Sequence, residues 1–148
     1  AAIHRAPAGS VIVVEAGDRD YAVSGGNVCA WAQYRGIAGF VVDGVIRDVA
    51  EVREKRFPVF ARGIIPIPGD KQTPGILNGP VMCGGVRVEP GDIILADEEG
   101  IVVVPAARAK AVLDAGLAKA ERDAKETLEE WARAHLERIE ATMRKLGM

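Results

Sequence analysis

The stretch Gly39-Phe40-Val41-Val42-Asp43-Gly44-Val45-Ile46-Arg47-Asp48 decides how the rest of the chain is read. Its opening apolar run is the pattern of a buried strand, expected over Phe40–Val42. Asp43-Gly44 favours a turn. Two apolar residues later, Arg47 and Asp48 stand side by side. An arginine can grip a carboxylate through two parallel hydrogen bonds. An aspartate offers the hard oxygen that a divalent cation prefers. Just upstream, Ser24-Gly25-Gly26-Asn27 opens a predicted helix. A glycine-opened helix start can hold an anion on free backbone N–H groups. Together these residues outline a site for a small anionic substrate and a metal.

Outward from that stretch, Ser10–Glu15 reads as a strand rich in β-branched residues, after a lead-in from Ala1 to Gly9. Tyr21–Val23 reads as a short extended piece. Asn27 is the expected N-cap of a helix over Val28–Arg35, with Gly36 as the residue that ends it. Strand, helix and strand in that order favour parallel pairing with the helix on one face. A second helix is expected over Val49–Lys55, with Asp48 and Glu51 forming a capping box at its start. Phe57-Pro58 closes it, and Val59–Ala61 is the next strand.

Ile65 to Pro80 carries Pro66, Pro68, Gly69, Pro74, Gly75, Gly79 and Pro80, so it reads as a long loop at a site rim or subunit contact. Val81–Val104 alternates short strands with tight turns and predicts antiparallel or mixed sheet. Gly84-Gly85 suggests a bulge or a close backbone approach there. Pro105 suits a first helical residue, and the sequence is helical in character from there to Leu146. Leu128, Ala132, Leu136, Ile139, Met143 and Leu146 form one apolar stripe. Glu121/Lys125, Glu129/Arg133 and Glu140/Arg144 are favourable pairs four residues apart. Gly116 and Glu121-Arg122-Asp123 mark where this helix can bend. Two regions result, 1–104 and 105–148, the second an arm that packs on a neighbouring subunit or on its own domain.

The chain has 148 residues, enough for one domain with a genuine core. Aromatic residues are only 5%, so Val, Ile, Leu and Ala must build that core. A net charge of −2 argues against a nucleic-acid-binding surface. No apolar run is long enough to span a bilayer, and no secretory signal opens the chain, so a cytoplasmic protein is expected. Cys29 and Cys83 match no metal-ligand spacing and read as reduced, buried thiols. A catalytic cysteine would want a nearby histidine, and His4 and His135 lie near opposite ends of the chain. Trp31 and Trp131 read as core or interface anchors.

Gly25-Gly26-Asn27, the segment Arg35 to Asp48, Pro58-Val59-Phe60-Ala61-Arg62-Gly63 and Val88-Glu89-Pro90-Gly91-Asp92 resemble the RraA-like family. That family includes the regulator of ribonuclease activity A and the class II 4-hydroxy-4-methyl-2-oxoglutarate aldolases; some members decarboxylate oxaloacetate. The resemblance runs from about Ser10 to Val104. It implies an α/β fold, a swivelling β/β/α domain, here with a long C-terminal helical extension, assembled as a homotrimer or dimer of trimers. It implies a Mg2+- or Mn2+-dependent carbon–carbon lyase that releases pyruvate from a 2-oxo acid. Asp48 would be the metal ligand and Arg47 would bind substrate oxygens. The backbone of Gly25, Gly26, Asn27 and Val28 would bind the pyruvoyl carboxylate. Two departures stand out. Many family enzymes carry an acid where this chain has Gly26, and the family's segment before the strand near Ser10 is absent. The chain therefore reads as a fragment, or as a short member with a modified site.

Each of these residues also has a plainer role. Asp48 suits a helix cap with no metal, and one carboxylate can serve both purposes. Arg47 suits a surface ion pair. A glycine pair more often marks a turn than an anion site, and the third glycine of a dinucleotide fingerprint is absent. Asp43 reads as a turn residue, and Asp97, Glu98 and Glu99 as a solvated turn. The expected chemistry is metal-assisted cleavage in which Arg47 steadies the enolate oxygen. The aldol direction also needs a base for the substrate hydroxyl; no residue stands out for it, and metal-bound hydroxide is the expected base. The competing reading is a binding module that inhibits a ribonuclease, which would not need the Arg47-Asp48 pair. An S-adenosylmethionine-dependent methyltransferase ranks last, because no strand–loop–acid arrangement for that cofactor is present.

Overall fold

The computed structural model describes residues 1–70 and 75–147. Lys71 to Pro74, within the expected long loop, lie outside the described residues. The chain divides into two compact units, one from Ala1 to Ala106 and one from Ala107 onward.

The first unit is organised by a three-stranded sheet in the order β1-β2-β3, from Val11–Glu15, Gly39–Ile46 and Val59–Ile64. Both pairings are parallel. Parallel neighbours need crossovers, and helices α2 (Gly26–Tyr34) and α3 (Val49–Glu54) supply them. The central strand is buried at every position but Asp43. Cys29 and Ala32 of α2, Val52 of α3, Ile37 and Phe57 pack with Phe40, Val42 and Ile46 of β2. Phe40 and Phe57 meet edge to face with centroids 4.9 Å apart, a favoured aromatic geometry.

Two features near β2 differ from the sequence expectation. Asp43-Gly44 does not turn the chain. It lies inside a strand of eight residues, where the register with β3 shifts between Val42 and Val45. The turn preference is overridden because the Asp43 carboxylate finds partners beside the sheet. It accepts from Arg62 Nε and, through Oδ2, from Gly84 N at 2.7 Å. The first helix also begins earlier than expected. Gly25, in extended conformation, is its N-cap, and Asn27 is an exposed residue of the first turn without a capping role. Its end matches the expectation. Gly36 adopts a positive φ of 76°, and the amides of Gly36 and Ile37 close back on the carbonyls of Gln33 and Ala32.

A short helix, α1 (Ala2–Arg5), occupies what the sequence suggests is only a lead-in. Its His4 Nδ1 accepts from Trp31 Nε1 at 3.1 Å. Trp31 lies on the outer face of α2, 41% exposed and stacked on Tyr34, so it is not a core residue.

Two antiparallel hairpins complete the unit, β4–β5 (Val81–Cys83, Val86–Val88) and β6–β7 (Ile93–Ala96, Ile101–Val104). Gly84-Gly85 is neither a bulge nor a close approach. It is the tip of the first hairpin, and both residues have positive φ, 61° and 80°. That conformation matches the right-handed twist of the flanking strands. Carboxylates of the parallel sheet hold this hairpin: Glu15 Oε2 accepts from Met82 N at 2.7 Å, and Asp43 from Gly84 N.

The second unit is helical. After a 3-10 turn at Ala106–Arg108 it has α4 (Ala109–Asp123) and α5 (Leu128–Lys145). The helix therefore starts later than Pro105 and breaks just after Glu121-Arg122-Asp123, while Gly116 sits within α4. The break is set by a capping box that the sequence reading does not anticipate, Thr127 with Glu130. The ion pairs formed along α4 are Lys110–Asp114 and Lys119–Asp123, not the three expected. Trp131 stacks on His135 at 4.7 Å and is 45% exposed, so it too is not a core residue. No described residue of α4 or α5 is buried, and the stripe residues Leu128, Leu136, Ile139, Met143 and Leu146 are exposed.

Candidate active site

Parallel β/α units place the start of each following helix at the carboxyl ends of the strands, where open α/β sheets bind ligands. Here the starts of α2 and α3 converge beside the end of β2. Residues 22–24 run alongside that end and bring them together. Ala22 bridges Val45, Val23 N donates to the Val45 carbonyl, and Arg47 N donates to the Ser24 carbonyl, both at 2.9 Å. Two backbone bonds thus bring Gly25-Gly26 against Arg47-Asp48, which lie 22 residues apart in sequence.

The approach is close. A Cβ on Gly25 would lie 2.5 Å from Asp48 Oδ2 and 2.9 Å from Arg47 Cγ. A Cβ on Gly26 would overlap Glu51 Oε2 and lie 2.8 Å from its Cδ. Glycine at both steps leaves the space that the Asp48, Arg47 and Glu51 side chains occupy here. Glu51 is the site residue that sequence reasoning misses, because its spacing from Asp48 also fits a cap. That same spacing carries the signal: three residues after Asp48, it rises on the same side of a helix start.

The expected capping box at Asp48 and Glu51 does not form. Asp48 occupies the N-cap position but has left-handed angles, φ 57° and ψ 38°, and its side chain makes no capping bond. An N-cap needs extended backbone to aim its oxygen at the next turn. In the left-handed region the Asp48 carboxylate turns toward α2 instead, and Oδ2 accepts from Gly26 N at 3.1 Å. A non-glycine residue held there costs about 1–3 kcal/mol, and such strain concentrates at functional sites. Arg47 Nε stands 3.7 Å from Asp48 Oδ2, a loose pair with side chains 43% and 33% exposed. The Gly26 amide is thus already engaged. The amides of Asn27 and Val28 meet no acceptor among the described residues.

Beneath the site lies Cys29, fully buried, with Sγ 3.4 Å from Ser24 Oγ. Burial pushes its thiol pKa up and the Asp48 charge adds to this, against the pull of the Ser24 hydrogen bond. It is a protonated packing residue in the floor of the site. Cys83 is likewise a free thiol, and burial raises it as well. Cavities of about 500 and 780 Å³ lie along α4 and α5, lined by charged residues such as Arg122, Glu126 and Arg138, with no comparable convergence of groups.

The comparisons with known proteins agree with this architecture. The sequence profile of the RraA-like family, described as Aldolase/RraA, matches residues 1–103, so the match extends through the lead-in ahead of Ser10. The chain belongs to the RraA-like family. A Halalkalibacterium halodurans protein, provisionally named 4-hydroxy-4-methyl-2-oxoglutarate aldolase, is 42% identical over 113 residues, 76% of this chain and 54% of that protein. A Burkholderia multivorans protein with the same provisional name is 40% identical over 104 residues, 70% of this chain and 63% of its own length. This chain therefore spans roughly half to two thirds of these relatives. Among solved structures, Streptomyces coelicolor RraAS2, from the RNase ES inhibitor RraA family, superposes with a TM-score of 0.76 at 32% identity, over 90% of this chain and 66% of that one. A Thermus RNA-processing inhibitor RraA superposes with a TM-score of 0.66 at 36% identity, over 70% of this chain and 63% of that one. No described helix is long and apolar enough to cross a membrane.

Proposed function

We propose that the Gly25-Gly26/Arg47-Asp48 site belongs to a divalent-metal-dependent lyase that cleaves 2-oxo acids and releases pyruvate. Its substrate would be 4-hydroxy-4-methyl-2-oxoglutarate or oxaloacetate. The observation that carries this reading is the left-handed Asp48. It is turned out of its own helix cap and set, with Arg47, against a glycine step that leaves two helix-start amides open.

The donor set fits Mg2+ or Mn2+. Asp48 spends one bond on Gly26 and keeps oxygen lone pairs to offer. No group of three or more His, Cys, Asp or Glu converges among the described residues. One or two carboxylates, with water and substrate oxygens, are how Mg2+ is commonly held. Such an ion supplies Lewis-acid polarisation of the 2-oxo group. The chain's own residues do the rest. The amides of Asn27 and Val28 receive the substrate carboxylate, at a helix start that favours negative charge. Arg47 steadies the oxygen that gains charge as the enolate forms. The glycine step lets the substrate approach the backbone.

Replacing Asp48 with Asn tests the assignment. Asn tolerates left-handed angles and preserves the fold, but is a poor ligand for a hard cation. Mg2+-dependent pyruvate release from oxaloacetate should fall on the order of a thousandfold in Asp48→Asn, as expected when several kcal/mol of polarisation are lost. Full activity in that variant would refute the metal role. The RraA inhibitors among the solved relatives support a second reading, a protein-binding regulator of a ribonuclease.

The same family resemblance and the exposed stripe on α5 support a homotrimer or dimer of trimers. Light scattering that found a stable monomer at micromolar concentration would count against that assembly.

A further inference from the structure

We propose that Glu51 is the general base of aldol cleavage at this site, an inference that rests on the lyase reading above. Cleavage of a 4-hydroxy-2-oxo acid requires removal of the C4 hydroxyl proton as the C3–C4 bond breaks. The electron pair of that bond passes into the 2-oxo group as an enolate, and C4 becomes the carbonyl carbon of the departing 2-oxo acid. The enolate then needs one proton at C3 to become pyruvate. A carboxylate that takes the hydroxyl proton and returns it to C3 balances the reaction with no co-reactant. Decarboxylation of oxaloacetate has no hydroxyl proton to remove. Its enolate can be protonated by water.

The other candidates at the site are committed elsewhere. Asp48 accepts from Gly26 N and, on the lyase reading, gives its remaining lone pairs to the cation. The Cys29 thiol is fully buried and held protonated. Arginine is a cation that does not release its proton in proteins. Neither histidine serves: His4 is bonded to Trp31 on the outer face of α2, and His135 stacks on Trp131 in the helical unit. Glu51 is exposed, and its carboxylate has no hydrogen-bond or ion-pair partner among the described residues. Its Oε2 fills the space where a Cβ of residue 26 would stand. Gly26 therefore carries Asp48 on its amide and Glu51 on its Cα. The second acid borders the same residue as the first, beside the open amides of Asn27 and Val28. Glycine at position 26 is the condition for this placement, because any side chain there would displace the Glu51 carboxylate.

The test measures both reactions with Mg2+ in the full chain and in Glu51→Gln, together with calorimetric binding of oxalate, an enolate mimic. Loss of a general base costs about 100- to 10,000-fold in rate. Glu51→Gln should lose at least about a hundredfold in kcat for 4-hydroxy-4-methyl-2-oxoglutarate, with oxaloacetate decarboxylation and oxalate affinity changed less than about threefold. If both reactions fall together in Glu51→Gln, or if neither falls, Glu51 is not the base. A parent chain inactive on both substrates would overturn the lyase reading itself, and this inference with it.

Discussion

Two aspartate–arginine pairs start from the same strand, and they differ in every respect that matters. Asp43 and Arg62 are closed on each other. The carboxylate also takes the Gly84 amide, so it joins the parallel sheet to the β4–β5 hairpin. The Arg62 hydrogen bond, with help from Gly84, holds the Asp43 carboxyl down to about 2. Asp48 and Arg47, five residues further on, stand 3.7 Å apart, and Asp48 accepts one further bond, from the Gly26 amide. One pair is a structural tie with its acceptors in use. The other is left open, on strained backbone, next to glycines that clear space around it. Charge pairing in sequence does not distinguish a tie from a site. The number of partners left over in the fold does.

That contrast can be broken at the open pair first. Lysine at position 47 keeps the charge but loses the planar two-pronged geometry. Arg47→Lys should lower kcat for oxaloacetate ten- to a thousandfold, the range expected when one donor to a developing oxyanion is lost, about 2–4 kcal/mol. Its melting temperature should stay near the parent's. If the protein acts as a ribonuclease inhibitor instead, capture of the nuclease should be the same in both. Unchanged turnover in an active enzyme would remove Arg47 from the mechanism.

The closed pair should respond in the opposite way, with a smaller effect, on stability. Asp43→Asn removes the charge from the tie without touching the site. Melting temperature should fall at neutral pH, amides of the β4–β5 hairpin should exchange faster, and turnover per folded molecule should hold. The pH dependence has a definite sign. The Asp43 carboxyl is held at about 2 in the fold, below its ordinary 3.8. Its stabilisation is therefore present above about pH 4 and lost as pH falls toward 2. The gap between parent and Asp43→Asn should close over that interval. A gap that stays constant down to pH 2 would mean that the pair contributes nothing through its charge.

Much of this is legible in the chain. The apolar run at Phe40–Val42, the strand–helix–strand order and the Gly36 helix end follow from periodicity and turn chemistry, which act locally. The antiparallel hairpins follow from short alternating runs between turn residues. The DG…RD segment is the most specific of the four stretches that together suggest the family. The failures share a cause. Asp43-Gly44 looks like a turn, Asp48 like a cap and Trp31 like a core residue when each is judged from its neighbours in sequence. In the fold, Asp43 is held by Arg62 and Gly84, Asp48 by Gly26, and Trp31 by His4. All four partners lie 19 or more residues away.

What the sequence determined by itself was the set of parts: three strands able to pair in parallel, two crossover helices, a glycine pair, an arginine–aspartate pair and a separate helical arm. Those follow from side-chain volume, backbone freedom and period, which a residue carries wherever it sits. Only the tertiary structure decided which carboxylates would be spent and which left over. Burial of β2 between its neighbours fixes where its end emerges, and the backbone bonds of residues 22–24 then bring the glycine step to Arg47 and Asp48. A carboxylate's role depends on the donors within about 3 Å of it, and that is a property of packing.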